Sequence, residues 1–190
     1  MEKQHGKKSS FISGPPQGVR LIVGLGNPGA AYKNTYHNVG MMAADWLTKK
    51  APSSAAWKKA GDVFEYTRIG NFIMIKPLVF MNESGKAVVK AKKKFGVRNE
   101  EILVIHDESD IRLGTAKVSF GRSSAGHRGV ASVIQELRGQ NFWRMRIGVR
   151  SEKNKKKAME FVLKKISFLD QKKLEEVFLD ISEGLGMDAD

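Results

Sequence analysis

Histidine, aspartate and asparagine side chains stand where apolar runs of this 190-residue sequence begin or end. Asn27 follows one apolar run, Asn82 follows a second, and Asp107 follows a third. His37 closes the polar stretch after Asn27, just before an amphipathic segment. In an open α/β sheet the ligand crevice lies outside the carboxyl ends of the strands, so Asn27 and Asp107 are expected to meet there if their strands are parallel.

The chemistry that these residue types favour is general acid–base catalysis. Histidine has an ordinary pKa of ~6.5 and is mostly neutral at pH 7, so His37 is a candidate base, the alternative being a solvent-exposed histidine beside a helix cap. For Asp107 the alternative is a loop carboxylate that is solvated or paired with an arginine. A serine nucleophile is less favoured because no G-x-S-x-G elbow occurs. No H-E-x-x-H or H-x-x-x-H spacing occurs either, so no metal is expected. The absence of cysteine excludes thiol nucleophiles, cysteine zinc sites and iron–sulfur clusters.

One motif offers a different interpretation, a dinucleotide site. Residues 24–29 fit G-x-G-x-x-G directly after a strand-like run. Pro28, however, removes a backbone N–H that would bind phosphate, and residues 30–38 lack the periodicity of a helix. We therefore expect no nicotinamide or flavin cofactor, and a nucleotide-dependent oxidoreductase stays an alternative that a binding assay would remove.

The charge of the chain indicates a polyanionic partner. It carries 33 Lys and Arg against 20 Asp and Glu, a net charge of +13 and a pI near 9.9. Residues 111–150 hold eight Lys and Arg and a single acid, Glu136. A solvated basic surface is the alternative, but the one-sidedness of this segment favours nucleic acid.

Alternating strand and helix patterns predict a single α/β domain over residues 19–190, after a disordered leader over 1–18. The expected strands are 20–25, 63–69, 72–75, 102–105, 116–120 and 144–149. The expected helices are 39–50 with Asn38 as N-cap, 83–95 with Gly96 after its end, 130–138, 154–165 and 171–183. No apolar run approaches ~18 residues and the leader has no apolar core, so we expect a cytoplasmic protein without a membrane span.

Five sequence blocks, in order, resemble the bacterial-type peptidyl-tRNA hydrolase family. They are GLGNPG-x-x-Y-x-x-T-x-HN-V-G, KP-x-x-FMN-x-SG-x-A, HDE-x-D, GH-x-G and R-x-RIG, within residues 20–165. The resemblance implies a mixed twisted β-sheet with helices on both faces. It also implies hydrolysis of the ester between a peptide and the tRNA 3′ ribose, which recycles tRNA without a cofactor.

The resemblance also implies a role for individual residues. His37 matches the catalytic histidine and Asp107 its supporting carboxylate. The other matches are substrate-binding residues: Asn27 and Asn82 at the peptide and ester end, Tyr32 and Phe80 at the tRNA groove, and Arg146 at a tRNA phosphate, with Lys117 beside it. The expected partner is the acceptor stem and peptide end of peptidyl-tRNA, bound by a monomer.

Two positions depart from the family pattern. Tyr36 stands where T-R-H-N has arginine, and Arg128 stands in the substrate site where G-H-N-G has asparagine. A guanidinium donates hydrogen bonds only, whereas an asparagine amide donates and accepts, so contacts that need an acceptor are lost at Arg128. The alternative function is a non-catalytic RNA-binding relative on the same fold, resembling a plant organellar splicing cofactor, and turnover of peptidyl-tRNA discriminates the two.

Overall fold

A computed structural model describes residues 16, 18–51, 56–151 and 158–187. These residues form one seven-stranded sheet and five helices. The strands are β1 (Leu21–Gly24), β2 (Lys58–Ala60), β3 (Phe64–Ile69), β4 (Phe72–Pro77), β5 (Ile102–Arg112), β6 (Ala116–Phe120) and β7 (Trp143–Arg150). The helices are α1 (Val39–Lys50), α2 (Ser84–Phe95), α3 (Arg128–Leu137), α4 (Ala158–Phe161) and α5 (Phe168–Leu185).

The sheet is mixed, with the order β2-β3-β4-β1-β5-β7-β6. Strands β4, β1, β5 and β7 are parallel, while β2 and β3 extend one side of the sheet and β6 the other in antiparallel pairs. Because β1 lies between β4 and β5, the carboxyl ends of three parallel strands meet at the centre of one edge.

Alternation along the strands builds an apolar layer on each face of the sheet. Ile22, Leu103 and Met145 pack on one face with α1 and α5. Leu21, Val23 and Val104 pack on the other face with α2 and α3. The expected α/β fold, with a mixed sheet and helices on both faces, is therefore confirmed.

Most expected elements are present, and the differences lie where the chain forms long-range pairs. The expected strand 102–105 was too short, because β7 pairs with β5 as far as Glu108 and again at Arg112. The expected helix 154–165 was too long at its C-terminus, because α4 ends at Phe161 and the next residues pair with the segment before α1. Helices α3 and α5 begin two and three residues earlier than expected, and β2 was not expected.

The expected leader and the start of the expected helix 154–165 fall largely outside the residues that the structure describes. The leader over 1–18 lies outside the described residues except for positions 16 and 18, and so do residues 154–157 of the expected helix. Among the described helices, none is long and apolar enough to cross a membrane.

Candidate active site

A cavity of about 560 Å³ opens at the carboxyl edge of the parallel strands. The β1–α1 connection, the β4–α2 connection, β5 and the start of α3 each contribute side chains to its lining. Seven of the nine expected site residues line it: His37, Asp107, Asn27, Tyr32, Phe80, Asn82 and Arg128. The other two, Lys117 and Arg146, lie on the sheet away from this cavity.

His37 and Asp107 form the hydrogen bond expected of a base and its orienting carboxylate. His37 Nδ1 lies 2.9 Å from Asp107 Oδ1. A carboxylate only accepts, so Nδ1 carries the proton and Nε2 carries the lone pair. Nε2 has no protein partner among the described residues, and the His37 ring, 14% exposed, lines the cavity. The ring can therefore accept a proton from a molecule bound there.

Asp107 stays ionised although its side chain is only 3% exposed. Burial by itself raises the pKa of this carboxyl, but the charges and hydrogen bonds of His127 and His37 outweigh it and hold the pKa well below its ordinary value. A buried carboxylate of this kind can stabilise an imidazolium without taking up a proton.

His127 is a second histidine on the same carboxylate oxygen, and the sequence reasoning assigned it no role. Its Nε2 lies 2.9 Å from Asp107 Oδ1, while its Nδ1 accepts a hydrogen bond of 3.2 Å from the Val130 N–H at the start of α3. Nδ1 is therefore unprotonated, and the Nε2–H donates to Asp107. The GH-x-G block before a helix was the available signal, but a histidine there is equally well explained as a helix cap.

The three groups do not fit a metal centre, although their ligand atoms lie within 4.8 Å of one another. A histidine binds a metal through an unprotonated nitrogen. The only unprotonated nitrogen of His127 already accepts the Val130 N–H. The potential ligand atoms that face one another in His37, Asp107 and His127 are instead occupied by hydrogen bonds.

His106, which precedes Asp107, is fully enclosed rather than part of the cavity. Its Nδ1–H donates to the Asp107 backbone oxygen at 2.7 Å. Burial, followed by the charge of His127, holds the pKa of His106 well below its ordinary value. A neutral ring in this position supports the backbone of Asp107 and offers no proton to the cavity.

Asn27 is fixed by hydrogen bonds that leave its amide nitrogen uncommitted. Its Oδ1 accepts from the Met81 N–H at 2.8 Å. Its backbone N–H donates to Asn38 Oδ1, and its backbone oxygen accepts from Asn38 Nδ2, each at 2.9 Å. Among the described residues Asn27 Nδ2 has no partner, so it can donate to a bound group. Asn38 occupies the expected N-cap position of α1, but its side chain makes no capping hydrogen bond and holds the Asn27 loop instead.

Aromatic and polar side chains form the outer rim of the cavity. Tyr32 and Phe80 meet edge to face with ring centroids 6.1 Å apart, and Phe80 is 51% exposed. Asn82 and Arg128 are exposed beside them, and Arg128 is the first residue of α3.

Lys117 and Arg146 stand opposite each other on β6 and β7. Both point to the α2 and α3 face of the sheet, because their strand neighbours pack on the α1 and α5 face. Arg146 Nε donates to Glu108 Oε2 at 3.1 Å, and Glu108 lines the cavity. This basic pair is therefore connected to the cavity through one carboxylate.

The first two glycines of the 24–29 motif, Gly24 and Gly26, serve packing, whereas Gly29 takes a positive φ of 98° in an open turn. A Cβ on Gly24 would lie 2.4 Å from the Gly40 backbone oxygen, where α1 begins against β1. The connection from β1 to α1 also spans residues 25–38, far longer than the tight turn of a dinucleotide fold. The geometry thus gives the dinucleotide alternative no support.

Comparison with known proteins agrees with this geometry. The family model described as Peptidyl-tRNA hydrolase matches residues 21–188. A peptidyl-tRNA hydrolase of Aquifex aeolicus is 37% identical over 161 residues, covering 84% of each chain. One from a Wolbachia species is 39% identical over 154 residues, covering 80% of this chain and 84% of the relative.

Solved structures give the same result. The crystal structure of peptidyl-tRNA hydrolase from Acinetobacter baumannii superposes with a TM-score of 0.76 at 26% identity, covering 94% of this chain and 96% of that one. Both comparisons agree with the family that the five sequence blocks resemble. This chain belongs to the peptidyl-tRNA hydrolase family.

Proposed function

We propose that this chain hydrolyses the ester between the peptide and the 3′ ribose of peptidyl-tRNA, with His37 as general base and Asp107 as its orienting carboxylate. The observation that carries the proposal is the 2.9 Å contact from His37 Nδ1 to Asp107 Oδ1, with the opposite ring nitrogen free at a cavity. Proton transfer by a positioned histidine contributes roughly 10²–10⁴-fold to a reaction rate.

The reaction proceeds in two proton transfers. His37 Nε2 takes a proton from a water molecule as the water oxygen adds to the ester carbonyl carbon. The imidazolium is stabilised by Asp107, which remains ionised. When the tetrahedral intermediate collapses, the bond to the ribose oxygen breaks and that oxygen takes the proton from His37. The products are a free tRNA 3′ hydroxyl and a peptide carboxylic acid, which ionises to the carboxylate by releasing its proton to solvent.

The developing oxyanion needs hydrogen-bond donors, and the two cavity asparagines supply them in this proposal. Asn27 has its Oδ1 bound to the Met81 N–H, so its Nδ2 is directed as a donor. Asn82 is exposed at the rim with no hydrogen-bond partner among the described residues. Removing one such donor typically costs ~10²–10³ in rate.

The tRNA end of the substrate is assigned to basic and aromatic residues outside the catalytic pair. Tyr32 and Phe80 offer an aromatic corner at which the 3′-terminal base can stack. Arg128 stands at the start of α3, where backbone N–H groups favour an anion. Lys117 and Arg146 would contact phosphates of the acceptor stem, which requires no base-specific contact.

We also propose that the chain acts as a cytoplasmic monomer. Edge strands of a sheet promote association unless they are short or charged. Here the edge strand β2 has three residues, of which two are Lys58 and Lys59, and the other edge strand carries Lys117. Light scattering of the full chain tests the oligomeric state, and fractionation of cells that express it tests the location.

The test of the reaction is release of the acyl group from N-acetylaminoacyl-tRNA by the purified full chain. We expect turnover of this substrate, little of the unblocked aminoacyl-tRNA, and a loss of about 10²-fold or more in His37→Ala and in Asp107→Asn. Asn71→Ala is the matched control, because Asn71 lies in the β3–β4 turn at the opposite edge of the sheet. Full turnover in His37→Ala would refute the mechanism. Salt-sensitive tRNA binding without turnover in the wild type would indicate the non-catalytic RNA-binding alternative.

A further inference from the structure

The connection that carries His37 is paired with residues 161–170, here called the C-terminal segment. Thr35 and Lys165 form an antiparallel β-bridge. Three backbone hydrogen bonds run from N–H to C=O beside it: His37 to Val162 at 2.8 Å, Tyr36 to Lys164 at 3.3 Å, and Ile166 to Asn34 at 2.9 Å. The backbone of the catalytic histidine is thus held by a segment more than 120 residues later in the sequence.

The Tyr36 side chain adds side-chain contacts to these backbone hydrogen bonds between the His37 connection and the C-terminal segment. Its hydroxyl donates to Asp170 Oδ2 at 2.5 Å, near the start of α5. Its ring packs edge to face on buried Phe161, with centroids 5.9 Å apart. Burial and then the Asp170 carboxylate raise the pKa of Tyr36 above its ordinary value, so the hydroxyl keeps the proton that it donates.

The same segment forms one wall of the cavity. Val162 and Leu163 contribute apolar side chains to its lining, and Leu163 is 54% exposed. A shift of the C-terminal segment would therefore move both the apolar wall and the backbone of His37. Small displacements of a catalytic group matter, because an error of about 1 Å can cost as much as 10²-fold in rate.

We propose that Tyr36 is a positioning residue, whose hydrogen bond to Asp170 holds the C-terminal segment against the His37 connection and thereby fixes the direction of His37 Nε2. The role rests on the proposed function, in which His37 is the base. It also gives a reason for the departure at this position. Related hydrolases usually carry arginine here, and an arginine would meet Asp170 as an ion pair, whereas Tyr36 makes a short neutral-to-charged hydrogen bond.

The kinetic test compares Tyr36→Phe, Tyr36→Arg and Asp170→Ala with N-acetylaminoacyl-tRNA as substrate. Tyr36→Phe keeps the ring contact and removes the donor, so we expect kcat to fall about tenfold while KM changes by less than about twofold. Tyr36→Arg should restore kcat to within about threefold, because its guanidinium can donate to Asp170. The double variant Tyr36→Phe with Asp170→Ala should be no slower than the slower single variant, since both substitutions remove the same hydrogen bond. Tyr66→Phe, which removes a hydroxyl on β3, is the matched control.

A second measurement does not depend on turnover. The His37 Nδ1–H that bonds Asp107 gives a ring proton and nitrogen signal by NMR. We expect that signal to shift in Tyr36→Phe and Asp170→Ala but not in Tyr66→Phe. Wild-type kcat in Tyr36→Phe, or an unchanged ring signal in a variant that has lost activity, overturns the positioning role. A wild type without turnover refutes the proposed function instead, while the ring signal still tests the position of His37. If Tyr36→Phe fails to fold, Asp170→Ala removes the acceptor and tests the same hydrogen bond from its other side.

Discussion

At the scale of single residues, the site is organised around one carboxylate oxygen. Asp107 Oδ1 accepts hydrogen bonds from both His37 and His127, each at 2.9 Å. The Val130 N–H fixes the tautomer of His127, which leaves His37 as the ring with a free nitrogen. The difference between the two histidines, of which only His37 keeps an uncommitted ring nitrogen, therefore follows from a single backbone donor at the start of α3.

His127→Ala should change how stability depends on pH. The pKa of Asp107 is depressed in the folded state, so its contribution to stability is complete above the unfolded value of about 4 and is lost as pH falls below it. Removing the His127 donor brings the pKa of Asp107 closer to its ordinary value. We expect His127→Ala to be less stable at pH 6 and to lose less further stability between pH 5 and pH 3 than the wild type. Urea unfolding at several pH values measures this, and parallel curves for the two proteins would contradict it.

Arg128→Asn tests the residue that departs from the family pattern inside the cavity. Arg128 is exposed at the start of α3 and donates hydrogen bonds without accepting any. If Arg128 contacts a tRNA phosphate, it contributes to the affinity for the substrate and not to proton transfer. We expect KM for N-acetylaminoacyl-tRNA to rise about threefold to tenfold, with the slope of log KM against log salt reduced by about 1 and kcat changed by less than threefold. A large change in kcat with an unchanged salt slope would place Arg128 at the reacting ester instead.

At the scale of elements, local periodicity predicted the helices and strands that pack by their own pattern. Helix α1 over Val39–Lys50 is the clearest case, because its apolar residues recur with helical spacing and become the face buried on the sheet. The polar run from His106 to Asp110 reads as a loop, yet it continues β5, because β7 supplies ladder partners and the site supplies partners for the buried side chains. No local pattern reveals such distant partners.

Because local patterns do not reveal distant partners, the sequence also predicted only part of the site. The sequence blocks identified His37, Asp107 and Asn27, which the fold brings together. They gave no role to His127 and no reason for Tyr36, because the partners of both residues lie far along the chain. The position of Asn38 before a helix predicts the N-cap, which is confirmed, but not that its side chain bonds the backbone of Asn27.

The close approach of α1 to β1 and β5 gives a prediction about this packing. A Cβ on Gly40 would lie 2.2 Å from the Ile105 backbone oxygen, which is rigid because it belongs to the sheet. Gly40→Ala must therefore push α1 away, together with His37 just before it. We expect a loss of about 1–3 kcal/mol or more in the free energy of unfolding. Gly139→Ala is the matched control, since a Cβ there meets nothing within 4 Å. Equal stability of both variants by urea unfolding would contradict the expected steric conflict.

At the scale of the whole molecule, the two helical layers carry charges of opposite sign. Helix α2 has five lysines and no acid, whereas α5 on the other face has five acids and two lysines. Helix α2 starts two residues after Asn82 of the cavity, and Lys117 and Arg146 point to the same face as α2. Among the described residues, the helical layer that adjoins the mouth of the cavity is therefore the basic one.

The difference in charge between the two helical layers predicts that the α2 face approaches the tRNA. Lys90, Lys93 and Lys94 are exposed on α2, and the described residues offer none of them a carboxylate partner. Their helical spacing places them on one side of α2, as a strip of positive charge leading away from the cavity. We expect substitution of all three by glutamine to weaken tRNA binding roughly tenfold at 0.1 M salt. The slope of log Kd against log salt should fall by about 3.

The control for this experiment removes the same charge from the opposite face. Lys49, Lys50 and Lys173 are also exposed, and they lie on α1 and α5. Their replacement by glutamine lowers the net charge by the same three units, so any effect of overall charge alone is equal in the two triple variants. We expect the control to change the salt slope by less than about 1. An equal loss of affinity in both variants would contradict the prediction, because tRNA would then respond only to the total charge. A loss of affinity only in the α1 and α5 variant would show that tRNA approaches the acidic layer instead. Acyl release from a short N-acetylaminoacyl-CCA fragment should be the same in both variants, because such a fragment reaches the cavity without extending along α2.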